Sequence, residues 1–150
     1  MGAHPMRRRT LMPASLVTEP REDHWLDSDR LAPATARRRT SDFLSAYGLD
    51  ALQGDAITVV SELVTNAVQY GSPRLGRVLL TLRAPNREQL HVEIRDFGPT
   101  PIPEPRDAAL DDEAGRGLQI VSTLARNWGV DYRGDHGKVV WAILADQPTE

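Results

Sequence analysis

The chain is organised around Ser61-Glu-Leu-Val-Thr-Asn-Ala-Val-Gln-Tyr-Gly71, which completes an amphipathic helix and carries two polar side chains with functional potential. From Asp55 onwards apolar residues recur at helical spacing, with polar residues on the opposite face. Glu62 and Asn66 are four residues apart, so one lies a turn above the other. A carboxylate and an amide in this arrangement can order a water molecule and a hard metal ion. The alternative is an ordinary solvated helix face, since amphipathicity alone indicates no function.

Composition restricts the classes of function. A chain of 150 residues is long enough for one domain with its own core. The net charge of −3 disfavours non-specific binding of nucleic acid through global charge. The absence of Cys excludes disulfides, thiolate zinc sites and cysteine nucleophiles, and it fits the cytoplasmic location that we expect. No apolar run approaches the ~20 residues of a membrane span, so we expect no membrane association.

The residues before the central helix predict a tail followed by a first helix. Residues 1–28 mix Pro, Arg and acidic residues without a sustained period, which indicates a flexible tail with at most a short edge strand at 16–17. The pattern becomes helical over 31–47, and Gly48 is a typical stop. The predicted apolar stripe of this helix comprises Leu31, Ala34, Phe43, Leu44 and Tyr47.

The residues after Gly71 alternate between strand and helix patterns. The predicted elements are strands over 76–83 and 89–96, a helix over 115–126, and a hairpin of strands over 127–133 and 138–144. Helices with one apolar face and strands joined by tight turns predict a two-layer α/β (α+β) sandwich with a mixed, mainly antiparallel sheet and helices on one face. We place the domain at 29–146, between the N-terminal tail and a frayed end at 147–150.

A carboxylate and a proline-rich loop follow the second predicted strand. Asp96-Phe-Gly98 precedes four prolines in the seven positions from 99 to 105, so this segment can be neither a helix nor an inner strand. Buried at a strand end, Asp96 could accept hydrogen bonds from an exocyclic amine. The alternative is that Asp96 caps a turn and Gly98 supplies a positive φ.

A glycine pair, Gly115-Arg-Gly117, opens the next predicted helix. Glycines at this point allow backbone N–H groups to approach phosphate oxygens, and the N-terminus of a helix favours negative charge. The alternative is simple loop closure, because a lone Gly-x-Gly is weak evidence. The order and spacing of the three motifs together are much less likely to arise by chance.

Together these motifs resemble those of the RsbW/SpoIIAB-like anti-sigma factor serine kinases of actinobacterial type. Those kinases belong to the GHKL superfamily of ATP-binding proteins, with gyrase, MutL and histidine kinases. The matching stretches are 61–71, 96–98 with its proline-rich sequel, 115–121 and 137–141, within a resemblance that runs from about 31 to 145. The resemblance implies a Bergerat-type ATP-binding fold.

The resemblance also implies a role for individual residues. Asn66 would bind Mg²⁺ bridging the ATP phosphates, and Glu62 would be the general base that accepts the proton of an attacking serine hydroxyl. Asp96 would recognise the adenine amine, with Gly98 leaving room for the base. The lid over the phosphates would be residues 99–114, closed by Gly115, Arg116 and Gly117. Pro101 and Leu118 complete the implied nucleotide-binding set.

The resemblance further implies partners and one departure from the family pattern. The phosphate acceptor would be a serine on an anti-anti-sigma (STAS-type) protein, the alternative partner would be a sigma factor, and the protein would form a homodimer. In the family a Thr hydroxyl on the last strand supports adenine recognition, whereas Val139 stands there in this chain. From the loss of that hydrogen bond we expect nucleotide binding to be weaker by about 0.5–1.5 kcal/mol.

Two other functions remain open. One is a non-catalytic, nucleotide-binding interaction module that sequesters a regulatory partner. The other is a detached ATP-binding domain of a histidine kinase, which is disfavoured because no phosphoacceptor His region precedes Leu31. Glu62 favours the kinase, since a module that only binds has no need of a base.

Overall fold

The computed structural model describes residues 18–71, 76–97 and 112–146, which form one sheet with helices packed on one face. Two short 3₁₀ turns, Asp50–Leu52 and Gly134–His136, join neighbouring elements. In chain order the elements are β1 (Arg21–Asp27), α1 (Ala32–Ala46), α2 (Gln53–Tyr70), β2 (Arg77–Asn86), β3 (Gln89–Asp96), α3 (Asp112–Leu124), β4 (Asn127–Tyr132) and β5 (Lys138–Ala145).

The sheet has the strand order β1-β2-β3-β5-β4. Each of the four pairings among the described strands is antiparallel. The predicted α+β class, with a mainly antiparallel sheet and helices on one face, is therefore confirmed, and among the described strands the sheet is antiparallel throughout rather than mixed. The physical reason lies in the connections: the segment with α3 carries the chain past β3 to the far edge, and β5 then folds back between β3 and β4.

Strand β1 corrects the prediction of a tail over residues 1–28. It pairs with β2 along its whole length, from Arg21 opposite Arg83 to Asp27 opposite Arg77. Its core-facing positions, opposite the buried residues of β2, are Glu22, His24 and Leu26, and only the last of these is apolar. The sequence of β1 therefore lacks the alternation of apolar and polar residues that predicts a strand. The short strand expected at 16–17 lies outside the described residues.

Helix α2 lies between α1 and α3 and supplies the centre of the core. The helix buries its predicted apolar face, which consists of Ala56, Val59, Val60, Leu63, Val64 and Ala67. In α1 the buried row is Ala32, Ala36, Thr40, Phe43 and Leu44, whereas Leu31 is 65% exposed. Leu31, Ala34 and Tyr47 of the stripe predicted for α1 are exposed, so that part of the prediction was wrong. Thr40 can be buried in their place because its hydroxyl donates to the Ala36 carbonyl oxygen at 2.8 Å.

Helix α3 begins three residues earlier than predicted, at Asp112. Gly115 and Gly117 therefore lie within its first two turns, whereas the sequence had predicted that they open it. Among the helices in the described ranges, none is long and apolar enough to cross a membrane.

Candidate functional site

The flank of α2 that faces α3 carries Glu62 and Asn66. A Cβ atom built on Gly117 would lie 2.9 Å from Glu62 Oε2 and 3.2 Å from Asn66 Nδ2. At these distances a β-carbon would push both side chains aside, so glycine at 117 lets the backbone of α3 lie this close to them without displacing either. The structure therefore brings together three of the residues singled out in the sequence.

Glu62 is half-buried, and it makes neither a hydrogen bond nor an ion pair with any residue that the structure describes. The neighbouring position behaves differently: Ser61 Oγ accepts a hydrogen bond from Arg37 Nη1 of α1 at 2.9 Å. On the flank of α2 that faces α1, the polar side chain is thus occupied by a hydrogen bond between the two helices. On the flank that faces α3, the Glu62 carboxylate keeps its hydrogen-bonding capacity for something else.

The side chain of Asp96 is buried at the end of β3. It is 1% exposed, and neither carboxylate oxygen has a hydrogen-bond partner within the described part of the chain. Burial raises the pKa of Asp96, while the ammonium group and the backbone N–H of Lys138 lower it in part without cancelling the effect. Buried polar groups in native proteins almost always have partners, so an unpaired carboxylate indicates where a ligand with a hydrogen-bond donor would fit.

Gly71, the residue that ends α2, lies against Asp96. A Cβ atom on Gly71 would overlap the Ala67 carbonyl oxygen and would lie 2.8 Å from Asp96 Oδ2. The φ of Gly71 is −73°, which any residue can adopt, so the requirement for glycine here is one of space. Sequence reasoning treated Gly71 only as a helix stop and missed its contact with the carboxylate.

The register of β3 and β5 changes the interpretation of Val139. Asp96 lies opposite Lys138, whereas Val139 lies opposite Arg95. Because paired residues share a face of the sheet, Lys138 is the neighbour of Asp96 and Val139 lies on the other face. The reason given for weaker adenine recognition is therefore wrong, since a hydroxyl at 139 would not be beside Asp96.

The two ends of the site are separated along α2. Nine residues from Glu62 to Gly71 correspond to about 13.5 Å at 1.5 Å per residue. Asp96 lies at one end of this span, Glu62 lies at the other, and Asn66 lies about halfway between them. The arrangement suits an elongated ligand that has a hydrogen-bond donor at one end and oxygens that can share a cation at the other.

A comparison with protein families identifies the domain. The family described as "Histidine kinase-like ATPase domain" matches residues 26–144, which is most of the chain. The chain belongs to this family. The GHKL resemblance deduced from the motifs is thereby confirmed, and membership of this ATPase-domain family implies nucleotide binding.

The fold of this histidine kinase-like ATPase domain is also found in a solved structure. The crystal structure of the RsbU and RsbW domains of Rv1364c from Mycobacterium tuberculosis matches with a TM-score of 0.64 and 19% sequence identity. The match covers 84% of this chain and 32% of the solved chain, so the protein spans about a third of that relative's length. At this level of identity the likeness shows the fold. A comparison with curated proteins finds no significant match.

Of the other residues that the resemblance implied, some lie on α3 of the ATPase domain and the rest lie outside the described residues. Arg116 is exposed on α3, Leu118 is half-buried on the same helix, and Gly115 lies in the first turn. Gly98 and Pro101 lie outside the described residues, as does most of the predicted lid over 99–114. Their roles stay predictions.

The donor set of the ATPase domain fits a nucleotide with Mg²⁺. No group of three or more His, Cys, Asp or Glu side chains in the described ranges could hold a metal ion by itself. Mg²⁺ commonly takes one or two protein oxygens and completes its coordination with phosphate and water, which the Asn66 amide oxygen allows. At the other end of the site, the unpaired oxygens of Asp96 fit the exocyclic amine of adenine.

Proposed function

We propose that the protein is an ATP- and Mg²⁺-dependent anti-sigma factor and protein serine kinase that phosphorylates an anti-anti-sigma (STAS-type) partner. The observation that supports this proposal is the flank of α2, which has the unpaired Asp96 carboxylate at one end and the unpaired Glu62 carboxylate beside Asn66 at the other. Such a protein would regulate transcription by exchanging partners.

Adenine recognition falls to Asp96. The carboxylate would accept a hydrogen bond from the exocyclic amine, which guanine replaces with an acceptor oxygen. Because Asp96 is buried and lacks a partner among the described residues, that hydrogen bond would satisfy a polar group that is otherwise unsatisfied. Gly71 keeps the space beside Oδ2 free of side-chain atoms.

Asn66 and Gly117 would serve the phosphate end of the ligand. Mg²⁺ held at the Asn66 amide oxygen would neutralise charge on the phosphates. Gly117 lets the α3 backbone approach Asn66 and Glu62, so that N–H groups of the first turns can lie near phosphate oxygens. Both contributions are positional and electrostatic, which is what phosphoryl transfer requires of a protein.

The chemical step falls to Glu62. As the serine oxygen of the partner forms its bond to the γ-phosphorus, Glu62 would accept the hydroxyl proton. The bond from the γ-phosphorus to the bridging oxygen breaks, and ADP leaves with that electron pair. The lack of any described hydrogen-bond or ion-pair partner for Glu62 supports this role, because a salt-bridged carboxylate is a poorer proton acceptor.

Two measurements on the purified protein test the proposal. Calorimetric titration with MgATP should show binding, and incubation with labelled ATP and a STAS-domain protein should transfer label to a serine of that protein. Glu62→Gln is the matched variant, because it keeps the shape of the side chain and removes the base. No binding at millimolar MgATP would overturn the proposal. Binding without transfer to any STAS-domain protein supplied would favour the non-catalytic interaction module.

A further inference from the structure

The face of the sheet opposite the helices carries a cluster of two aromatic rings and two guanidinium groups. We define the aromatic cluster as Trp25 of β1, Arg77 of β2, Arg95 of β3 and Phe97, the residue after β3. The Trp25 and Phe97 ring centroids are 5.2 Å apart with an interplanar angle of 30°. Arg77 Cζ lies 4.9 Å from the Trp25 ring centroid, and Arg95 Cζ lies 4.8 Å from that of Phe97.

Two members of the aromatic cluster, Arg95 and Phe97, are the residues directly before and after Asp96 in the chain. Side chains alternate between the faces of a strand, so Arg95 and Phe97 lie on the outer face while Asp96 points towards the helices. The two neighbours of Asp96 along the chain contact each other through the cation–π pair. This contact restrains the backbone dihedrals of Asp96 from the face of the sheet that no described helix covers.

The Asp96 side chain is held by burial and by the backbone of Gly71 beside it. Neither of its oxygens is hydrogen-bonded within the described ranges, so no donor there fixes the carboxylate. We propose that the aromatic cluster positions the Asp96 carboxylate for adenine recognition and that Trp25 is a positioning residue for the nucleotide. The inference rests on the proposed function, because it assigns a partner to the adenine end of that site.

Trp25 is the member of the aromatic cluster whose removal tests this proposal most clearly. It is contributed by the edge strand, it is 48% exposed, and its ring is the aromatic contact of Phe97. Arg77 and Arg95 make no ion pair with the residues described, and each guanidinium group lies over an aromatic ring. Removing the indole would take away the ring of β1 that Phe97 contacts.

The expected effect is a loss of base selectivity. An aromatic pair of this geometry contributes an interaction free energy that corresponds to a factor of about two to ten in affinity. Trp25→Ala should therefore weaken MgATP binding by that factor and leave the weaker binding of MgGTP almost unchanged, since GTP gains nothing from a well-placed Asp96 carboxylate. Trp25→Phe should retain most of the selectivity because it keeps a ring against Phe97.

The experiment is calorimetric titration of the full chain and its variants with MgATP and MgGTP, accompanied by urea unfolding of each variant. The matched control is Arg21→Ala, which lies on the same face of β1 and hydrogen-bonds Asp23 of the same strand. A wild type that does not prefer ATP over GTP would contradict adenine recognition by Asp96, and with it the proposed function. If the wild type does prefer ATP, an unchanged ATP-to-GTP ratio in Trp25→Ala overturns the inference alone. An equal loss for both nucleotides indicates a purely structural role and also overturns it.

Discussion

Asp96 Oδ2 lies so close to the backbone of Gly71 that a Cβ atom at position 71 would be 2.8 Å away from it. The end of α2 and the end of β3 thus meet at the carboxylate that we assign to adenine. The contact places the C-terminal end of the helix that carries Glu62 and Asn66 directly beside a carboxylate of strand β3. The site depends on this junction as much as on the polar side chains.

Gly71→Ala should disrupt this junction. The new methyl group would overlap the Ala67 carbonyl oxygen and press on Asp96, so we expect a destabilisation of about 1–3 kcal/mol and at least a tenfold loss of ATP affinity. Urea unfolding and calorimetric titration measure the two effects. Gly54→Ala is the matched control, because a Cβ there meets nothing within 4 Å and α2 should gain up to about 1 kcal/mol. Unchanged ATP binding in Gly71→Ala would contradict the assigned geometry.

Asp96→Asn should separate stability from binding. Burial raises the pKa of Asp96 above the ordinary value of 3.8, so the folded protein holds this proton to higher pH than the unfolded chain does. The free energy of unfolding therefore decreases as the pH rises from about that value through the raised pKa, and the variant lacks this decrease. At pH 7 Asp96→Asn should be at least as stable as the wild type while it binds ATP at least tenfold more weakly. A variant that is clearly less stable at pH 7 would indicate a structural carboxylate.

Glu62→Gln and Asn66→Ala should affect different steps. Glu62→Gln keeps the oxygen that faces Gly117 but cannot accept a proton, so MgATP binding should persist while phosphoryl transfer falls by about 10²–10⁴-fold. Asn66→Ala removes the amide oxygen assigned to Mg²⁺, so the dependence of ATP affinity on Mg²⁺ should largely disappear. Titrations with and without Mg²⁺, together with transfer of labelled phosphate, measure both. Equal loss of binding in the two variants would contradict this division of roles.

Gly117→Ala should reduce function more than stability. The added methyl group would meet the far ends of two flexible side chains, Glu62 and Asn66, which can move aside. We therefore expect the free energy of unfolding to change by no more than about 1 kcal/mol. Displacing both side chains should reduce MgATP affinity and transfer together, by tenfold or more. Titration and a transfer assay beside urea unfolding check this, and full activity in the variant would show that close packing at Gly117 is not needed.

Sequence reasoning was most reliable where the hydrophobic pattern was unambiguous. Clean alternation over 89–96 predicted the exact bounds of β3, and the apolar face of α2 is the one that the structure buries. Strand β1 was missed because its core-facing positions include Glu22 and His24, which hydrogen-bond each other at 2.9 Å instead of showing an apolar pattern. A polar edge strand of this kind has no signature in hydrophobic periodicity.

The sequence pointed to the residues of the candidate site through their types and spacing, but it did not predict which of them lie in contact in the fold. The proximity of Gly117 to Glu62 and Asn66 matches the expected convergence of the motifs. The contacts of Asp96 with Gly71 and Lys138 depend on strand register and on where a helix ends against a sheet. The interpretation of Val139 failed for the same reason, since a shift of one position along β5 moves a side chain to the other face.

His91 should make the stability of the protein sensitive to acid. It lies opposite Arg83 on the outer face of the sheet, and burial followed by the charge of Arg83 lowers its pKa below the ordinary 6.5, although Glu19 and Glu93 act in the opposite direction. A lowered pKa in the folded state means that this contribution to stability is complete above about pH 6.5 and is lost as the pH falls through the lowered value. His91→Gln should therefore lose less stability than the wild type between pH 7 and pH 5, measured by urea unfolding at each pH. Parallel pH profiles for the two proteins would show that His91 titrates alike in the folded and unfolded chain.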